Sequence, residues 1–179
     1  TDVINYFRRK AQVNWFAQKQ TEIWQVTDKF LLLSGFLTYR LTGEVKDSIG
    51  CQVGYLPFDY KKQQWAKTYD WKWHALAIKK SMLPELVKPG ELLGTITAEA
   101  AQLTGLPLGL KLIASASDKA CEVLGSGCIE PQTASLSYGT TATINTNNSQ
   151  YVEPQAFIPP YPSAIANQYN SEVMIYRGF

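Results

Sequence analysis

Histidine is almost missing from this chain of 179 residues. His74 stands alone in "WKWHAL", so neither a Ser-His-Asp nor a Cys-His constellation can be drawn around it, and it reads as a surface or packing residue. Cysteine is scarce too. Cys51, Cys121 and Cys128 are odd in number and show no C-x-x-C spacing, which speaks against a disulfide framework or a zinc site and for reduced thiols. Long hydrophobic runs are lacking: "FLLLSGF" at 30–36 stops far short of the roughly 20 residues that cross a bilayer, and no charged-then-apolar signal segment opens the chain. The expectation is a soluble, cytoplasmic protein with no membrane partner. Neither sign of charge dominates, with 17 Lys and Arg against 15 Asp and Glu and a formal net charge of +2. The basic residues are scattered, so no nucleic-acid footprint forms. A P-loop of the form G-x-x-x-x-G-K-[ST] is missing as well. "GSGCIE" at 125–130 starts like a dinucleotide fingerprint but ends in Glu130 and follows a helix where a strand is required. The sequon "NNS" at 147–149 is read as inert.

What is present is a chain that is 45% hydrophobic, enough to bury a sizeable core. Asp2 can cap a helix over 3–19, where Ile4, Phe7, Ala11, Trp15 and Phe16 recur at spacings of three and four and share a core-facing side. A second helix is expected from Thr27 through Tyr39, capped by Thr27, packed on both sides and stopped by Gly43. Periodicity then weakens from "TGEVKDSIGCQVGYLPFDY", and irregular structure leads into short helices near 61–68 and 72–80. Thr97 caps a short helix ended by Gly105, and Pro107 and Gly109 turn the chain into the strand "KLIAS". A helix starts near Asp118. The halves 133–137 and 141–146 around Gly139 read as a hairpin or a strand-turn-strand, "VEPQAFIPPYPSAI" as a loop, and "EVMIYRGF" as a strand. The five tryptophans read as core or half-buried anchors rather than as sugar-stacking platforms. The organisation is a helix-rich first half and a strand-rich second half. The chain opens "TDVINYF", already in a helix and without Met, and is read as a piece of something longer.

Two corners could carry chemistry. Asp118 follows an apolar strand and precedes a helix, where an Asp is a good N-cap in its own right. In an open α/β sheet the same place lines a ligand crevice, and a carboxylate there can take a proton from a substrate hydroxyl. Ala116 and Ser117 are small enough to let a ligand approach. The second corner is "LSYGTTATI", where Gly139, Thr140 and Thr141 make either an ordinary hairpin turn or a cradle for phosphate oxygens. The residues alone leave both pairs of readings open.

From about Trp15 to Asn145 an ordered series resembles the FGGY family of carbohydrate kinases: "NWF", "TDKFLLLSGFLTYRLTGEVKDS", "LPELVKPGELLGTITAEAAQLTGLPLGLKLIASASDKACEVLGSG" and "ASLSYGTTATI". The resemblance implies an α/β fold, part of an actin-like ATPase, ribonuclease-H-like domain. It implies transfer of the γ-phosphoryl group of ATP, with Mg²⁺, to a hydroxyl of a sugar or polyol. Asp118 would be the general base and a substrate contact, able also to meet the Mg²⁺ through water, with Ser117 beside the substrate. Gly139, Thr140 and Thr141 would approach the ATP phosphates. Residues 1–179 would be a partial N-terminal kinase domain, without the amino-terminal D-x-G-T phosphate loop and without the C-terminal domain, which becomes a partner of the same chain. Such a fragment is expected to be inactive alone, and a homodimer stays open. The family usually has Gly before the base and Gln or Asn after it; here Ser117 and Lys119 take those places, so no substrate contact is carried over to Lys119. Gln12 replaces the usual Lys of the first-helix signature. A non-catalytic sugar-binding or regulatory member, or an interaction fragment, would share the same fold.

Overall fold

The computed structural model describes residues 2–139, 141–155 and 158–175, with Ile175 described through its backbone only. The helices α1 (Asp2–Lys10), α2 (Gln12–Lys19), α3 (Thr21–Gln25) and α4 (Leu33–Thr42) come first. Strand β1 (Lys46–Ser48), the hairpin β2 (Phe58–Asp59) and β3 (Gln64–Trp65), helix α5 (Trp71–Ala75) and a 3₁₀ turn at Lys80–Met82 follow. Next are β4 (Glu85–Val87), β5 (Leu92–Thr95), α6 (Ala98–Thr104), β6 (Lys111–Ile113) and α7 (Asp118–Gly125). The chain ends in β7 (Ser135–Tyr138), β8 (Ala142–Asn148), β9 (Tyr161–Pro162) and β10 (Tyr169–Ile175). Strand β1 runs parallel to β4, and β5 is antiparallel to β6. The last four strands make one antiparallel sheet in the order β7-β8-β10-β9.

The expected single helix over 3–19 is broken at Ala11, whose backbone is extended. Asn14 supplies the physical reason. Its buried amide donates to the carbonyls of Arg8 (2.9 Å) and Ala75 (2.8 Å), and its Oδ1 accepts from Ala77 N (2.7 Å), so the break is stitched to the end of α5. Burying this amide fully satisfied is worth more than one continuous helix. The break also rotates the apolar stripe. Ala11 and Val13 enter a core with Leu76, Ile78, Met82 and Leu83, while Trp15 is 53% exposed and stacks edge-on against Phe16.

Thr27 does not open a helix. Residues 27–32 are not helical: Phe30 N donates to Met82 O (2.8 Å), and Phe30 and Leu32, two apart, reach adjoining cores. The helix begins at Leu33 and ends where expected, at Gly43 with φ 76°. Its packing is the reverse of a hydrophobic face. Gly35, Thr38 and Thr42 are buried, whereas Leu33, Phe36 and Leu37 point outward. A Cβ on Gly35 would stand 3.2 Å from an Asp47 oxygen, so small residues let α4 lie close on β1. The helix expected at 61–68 is instead the β2–β3 hairpin, closed through Gln63 at φ 50°, and 72–80 holds only α5 and the start of the 3₁₀ turn. Helix α6 matches its expected bounds, with Thr97 Oγ1 accepting from Ala100 N and Gly105 at φ 75°. Trp24, Trp65 and Trp73 pack against the first core as anchors.

Beneath α4 lies a polar cluster that no periodicity announced. Asp47, 1% exposed, accepts through Oδ1 from Ser48 N (2.8 Å) and through Oδ2 from Gln52 Nε2 (2.8 Å) and Ser34 Oγ (3.0 Å). Burial pushes its carboxyl up from the ordinary 3.8, and the bonds from Gln52, Ser34 and the backbone N–H groups of Ser48 and Gly35 pull only partly back. The folded chain therefore holds the Asp47 proton more tightly than the unfolded chain does. The associated stability is present at acid pH and lost as pH rises through the raised folded value. Asp47→Asn should flatten that part of the stability profile. It should also cost about 1–3 kcal/mol at neutral pH, since an amide turns a donor toward groups that donate. Denaturant unfolding at pH values from about 4 to 7 measures both, and an unchanged slope would contradict the assignment.

Candidate active site

Strand β6 is short, and the chain continues from it in extended form to Ser117, where α7 begins. The cap of α7 is Ser117, not Asp118: Ser117 Oγ accepts from Ala120 N (3.3 Å). Asp118 is the first helical residue and is exposed. Its Oδ1 accepts from Lys119 N (2.7 Å), and no described residue bonds its Oδ2. The carboxylate so placed is open to a ligand at a helix end where negative charge is favoured.

Lys119 is turned along the helix. Its Nζ donates to Glu122 Oε2 at 2.8 Å, and this ammonium, with help from the Ser137 hydroxyl, holds the Glu122 carboxyl below its usual range. Helix α7 packs against β8, and Cys128 Sγ, just past α7, lies against Asn145 O on β8 (3.7 Å). The hairpin that carries Gly139 is thereby brought to the helix that carries Asp118. Its strands pair from Ser135↔Asn145 to Tyr138↔Ala142, as the sequence led one to expect. Gly139 is exposed, and a Cβ there would meet nothing nearer than Thr141 O at 3.9 Å, so a ligand can approach this backbone freely. Thr141 is half-buried, and Thr140 lies outside the described residues.

A cavity of about 800 Å³ is walled by Phe7, Tyr55, Tyr60, Trp71, Tyr151 and Tyr161. Asp118, Ser117, Gly139 and Thr141 do not line it. Its link to the corner is Tyr161, whose phenol donates to Asn145 Oδ1 (2.8 Å) and is pushed up by burial first, then by the negative charges of Glu172, Glu122 and Asp118. Among the described residues no three His, Cys, Asp or Glu side chains gather into a metal cage. Cys51 is pushed up to about 11 by burial and by the charge of Asp47, so it stays a thiol. His74 is exposed and lies on α5.

The residues that sequence reasoning passed over are Asp47, Ser48 and Gln52, which sit directly behind the Asp118 corner. Their segment reads as irregular because one short strand and a turn carry no period. The only signal was a run of polar side chains around Gly50.

The model of the N-terminal domain of the FGGY family of carbohydrate kinases matches residues 3–125. The uncharacterized sugar kinase YgcE of Escherichia coli (strain K12) is 35% identical over 146 residues, covering 82% of this chain and 28% of that protein. A xylulose kinase of Lactococcus lactis subsp. lactis is 28% identical over 134 residues, covering 75% of this chain and 26% of that protein. In structure, a xyloylose kinase from Brucella ovis superposes with a TM-score of 0.82 at 23% identity, over 93% of this chain and 34% of that one. The mixed α/β fold is thus that of the actin-like sugar kinases, of which this chain spans about a third or less. With the match over residues 3–125 covering most of its length, the chain belongs to the FGGY family of carbohydrate kinases.

Proposed function

We propose that this chain carries the general base of a kinase that moves the γ-phosphoryl group of ATP to a hydroxyl of a sugar or polyol. The observation that supports it best is the division of labour at the start of α7: Ser117 caps the helix, and Asp118 keeps one oxygen clear of every described residue. Asp118 meets the helix only through Lys119 N, and the bond to Ala120 N is left to the serine.

In this reading the acceptor hydroxyl gives its proton to the Asp118 carboxylate as its oxygen attacks the γ-phosphorus, the bond from that phosphorus to the bridging oxygen breaks and ADP leaves; the hydrogen bond to Asp118 fixes the line of attack. Ser117 still has its hydroxyl proton to offer a neighbouring substrate oxygen. Gly139 and Thr141, with Thr140 between them, would hold ATP phosphate oxygens through an open backbone and hydroxyls. Bound ATP supplies the phosphoryl group, and Mg²⁺ supplies the neutralising charge, which Asp118 can meet through water. Lys119, committed to Glu122, is left out of the acceptor contacts.

The rest of the machinery would belong to the longer polypeptide, including a C-terminal domain, and these residues alone would not turn over substrate. Two apolar faces favour that view. Leu136, Ile144 and Val173 are paired across β7, β8 and β10 and point outward together, and Leu33, Phe36 and Leu37 do the same on α4. No described helix is long and apolar enough to cross a membrane.

With the full-length protein, ATP and Mg²⁺, a panel of sugars and polyols should reveal an acceptor, and Asp118→Asn should lower kcat by about 10²-fold or more. Intact turnover in that variant would remove the base assignment, while sugar binding without any turnover in the unaltered protein would favour a non-catalytic member of the family. Ser117→Ala should cost about 1 kcal/mol of stability through the lost cap. It should also raise the KM of the acceptor and leave that of ATP alone. An unchanged acceptor KM would leave Ser117 as a cap only.

A further inference from the structure

We infer that Asp47 and Ser48 are positioning residues for Asp118, holding the last three residues before it against the end of β1. This rests on the reading of Asp118 as the base, but the geometry stands on other atoms. The Ser48 hydroxyl, 2% exposed, donates to the carbonyl of Ser115 and accepts from Gly50 N at 3.1 Å. Gly50 and Ala116 form a parallel bridge, and Ser117 N donates to Gly50 O at 2.9 Å. Residues 115, 116 and 117 are therefore each fastened to the stretch 48–50, and Asp118 is the next residue along.

The approach is close as well as bonded. A Cβ on Gly50 would fall 2.6 Å from the Ala116 Cβ, so the two backbones lie as near as glycine permits. Behind this contact Asp47 fixes the segment at both ends: it accepts from Ser48 N, and its other oxygen accepts from Gln52 Nε2, which also donates to Ser48 O (2.9 Å). Ser34 Oγ ties the same carboxylate to α4. None of these bonds reaches Asp118 itself. What it fixes is the backbone from which Asp118 projects, and a base must meet its hydroxyl within a fraction of an ångström to be useful. A buried charge with four hydrogen-bond donors is more than a three-residue strand needs to hold its place, and its position behind the corner gives it a use.

The test is a double-mutant cycle in the full-length enzyme, with Ser48→Ala, Asp118→Asn and the pair. Ser48→Ala should lower kcat by about 10- to 100-fold, the range expected when a reacting group is slightly misplaced, and leave the KM of ATP unchanged. In the Asp118→Asn background the same change should have no further effect, because a positioned group that is gone cannot be mispositioned. Equal losses in both backgrounds, a loss confined to the KM of ATP, or kcat within about twofold of the unaltered enzyme would each overturn the inference. If Ser48→Ala does not fold, Ser34→Ala loosens Asp47 from the α4 side, and the same cycle applies. The single variant Asp118→Asn reports separately on the base: should it keep full turnover, that reading fails and takes the inference with it. Should it lose turnover while Ser48→Ala proves additive, the inference alone fails.

Discussion

A carboxylate taken out of water must find enough donors to stay charged or else take up a proton, and this choice shapes the middle of the molecule. Asp47 finds Ser34 on α4, the Ser48 backbone on β1 and Gln52 on the turn beyond. Those partners can converge only if α4 comes close, and that is possible because Gly35, Thr38 and Thr42 form its inner face. The same need for close approach recurs where Thr42 meets Gly94: a Cβ on that glycine would lie 2.8 Å from the threonine Cβ. Helix, parallel strand pair and β5 are thus brought together by one charge and a set of small side chains. The cost appears in the raised Asp47 carboxyl and in its neighbour Cys51, whose thiolate would have to form beside that charge.

This way of packing leaves the apolar side chains of α4 outside, and the final sheet repeats the arrangement. Its inward face holds Thr143, Asn145 and Asn147, while Leu136, Ile144 and Tyr138 look out. Tyr161 donates to Asn145, and Asn147 donates to Ile129 O and Gln168 Oε1, yet Asn147 Oδ1 has no donor among the described residues. A buried polar layer under an exposed apolar one is costly for an isolated sheet. In the reading proposed above, a further layer of a longer polypeptide would cover the apolar face.

Features governed by neighbours in sequence could be read without the structure. Thr97 and Gly105 bound α6 because a cap and a left-handed stop act within one turn, and Gly43 ends α4 for the same reason. The hairpin around Gly139 follows from two β-rich runs joined by a short turn. What could not be read depended on partners far along the chain. The break at Ala11 answers to Ala75 and Ala77 through Asn14, and the non-helical run before Leu33 answers to Met82 through Phe30. Asp47 and Ser48 stayed hidden because their partners, Ser34 and Ser115, lie 13 and 67 residues away, and Gln52 because its side-chain amide bonds to that same pair.

The start of α7 shows why adjacent residues of similar propensity need a structure to separate them. Ser117 and Asp118 are both good N-caps, and a shift of one residue in the helix start decides which of them is spent on the backbone. The bond from Ser117 N to Gly50 O decides it. With residue 117 held in extended conformation by that bond, the helical turn can begin only at 118, and the serine hydroxyl falls beneath Ala120 N. The strand end therefore does two things in one bond: it assigns capping to the serine, and it presents the aspartate with an oxygen to spare.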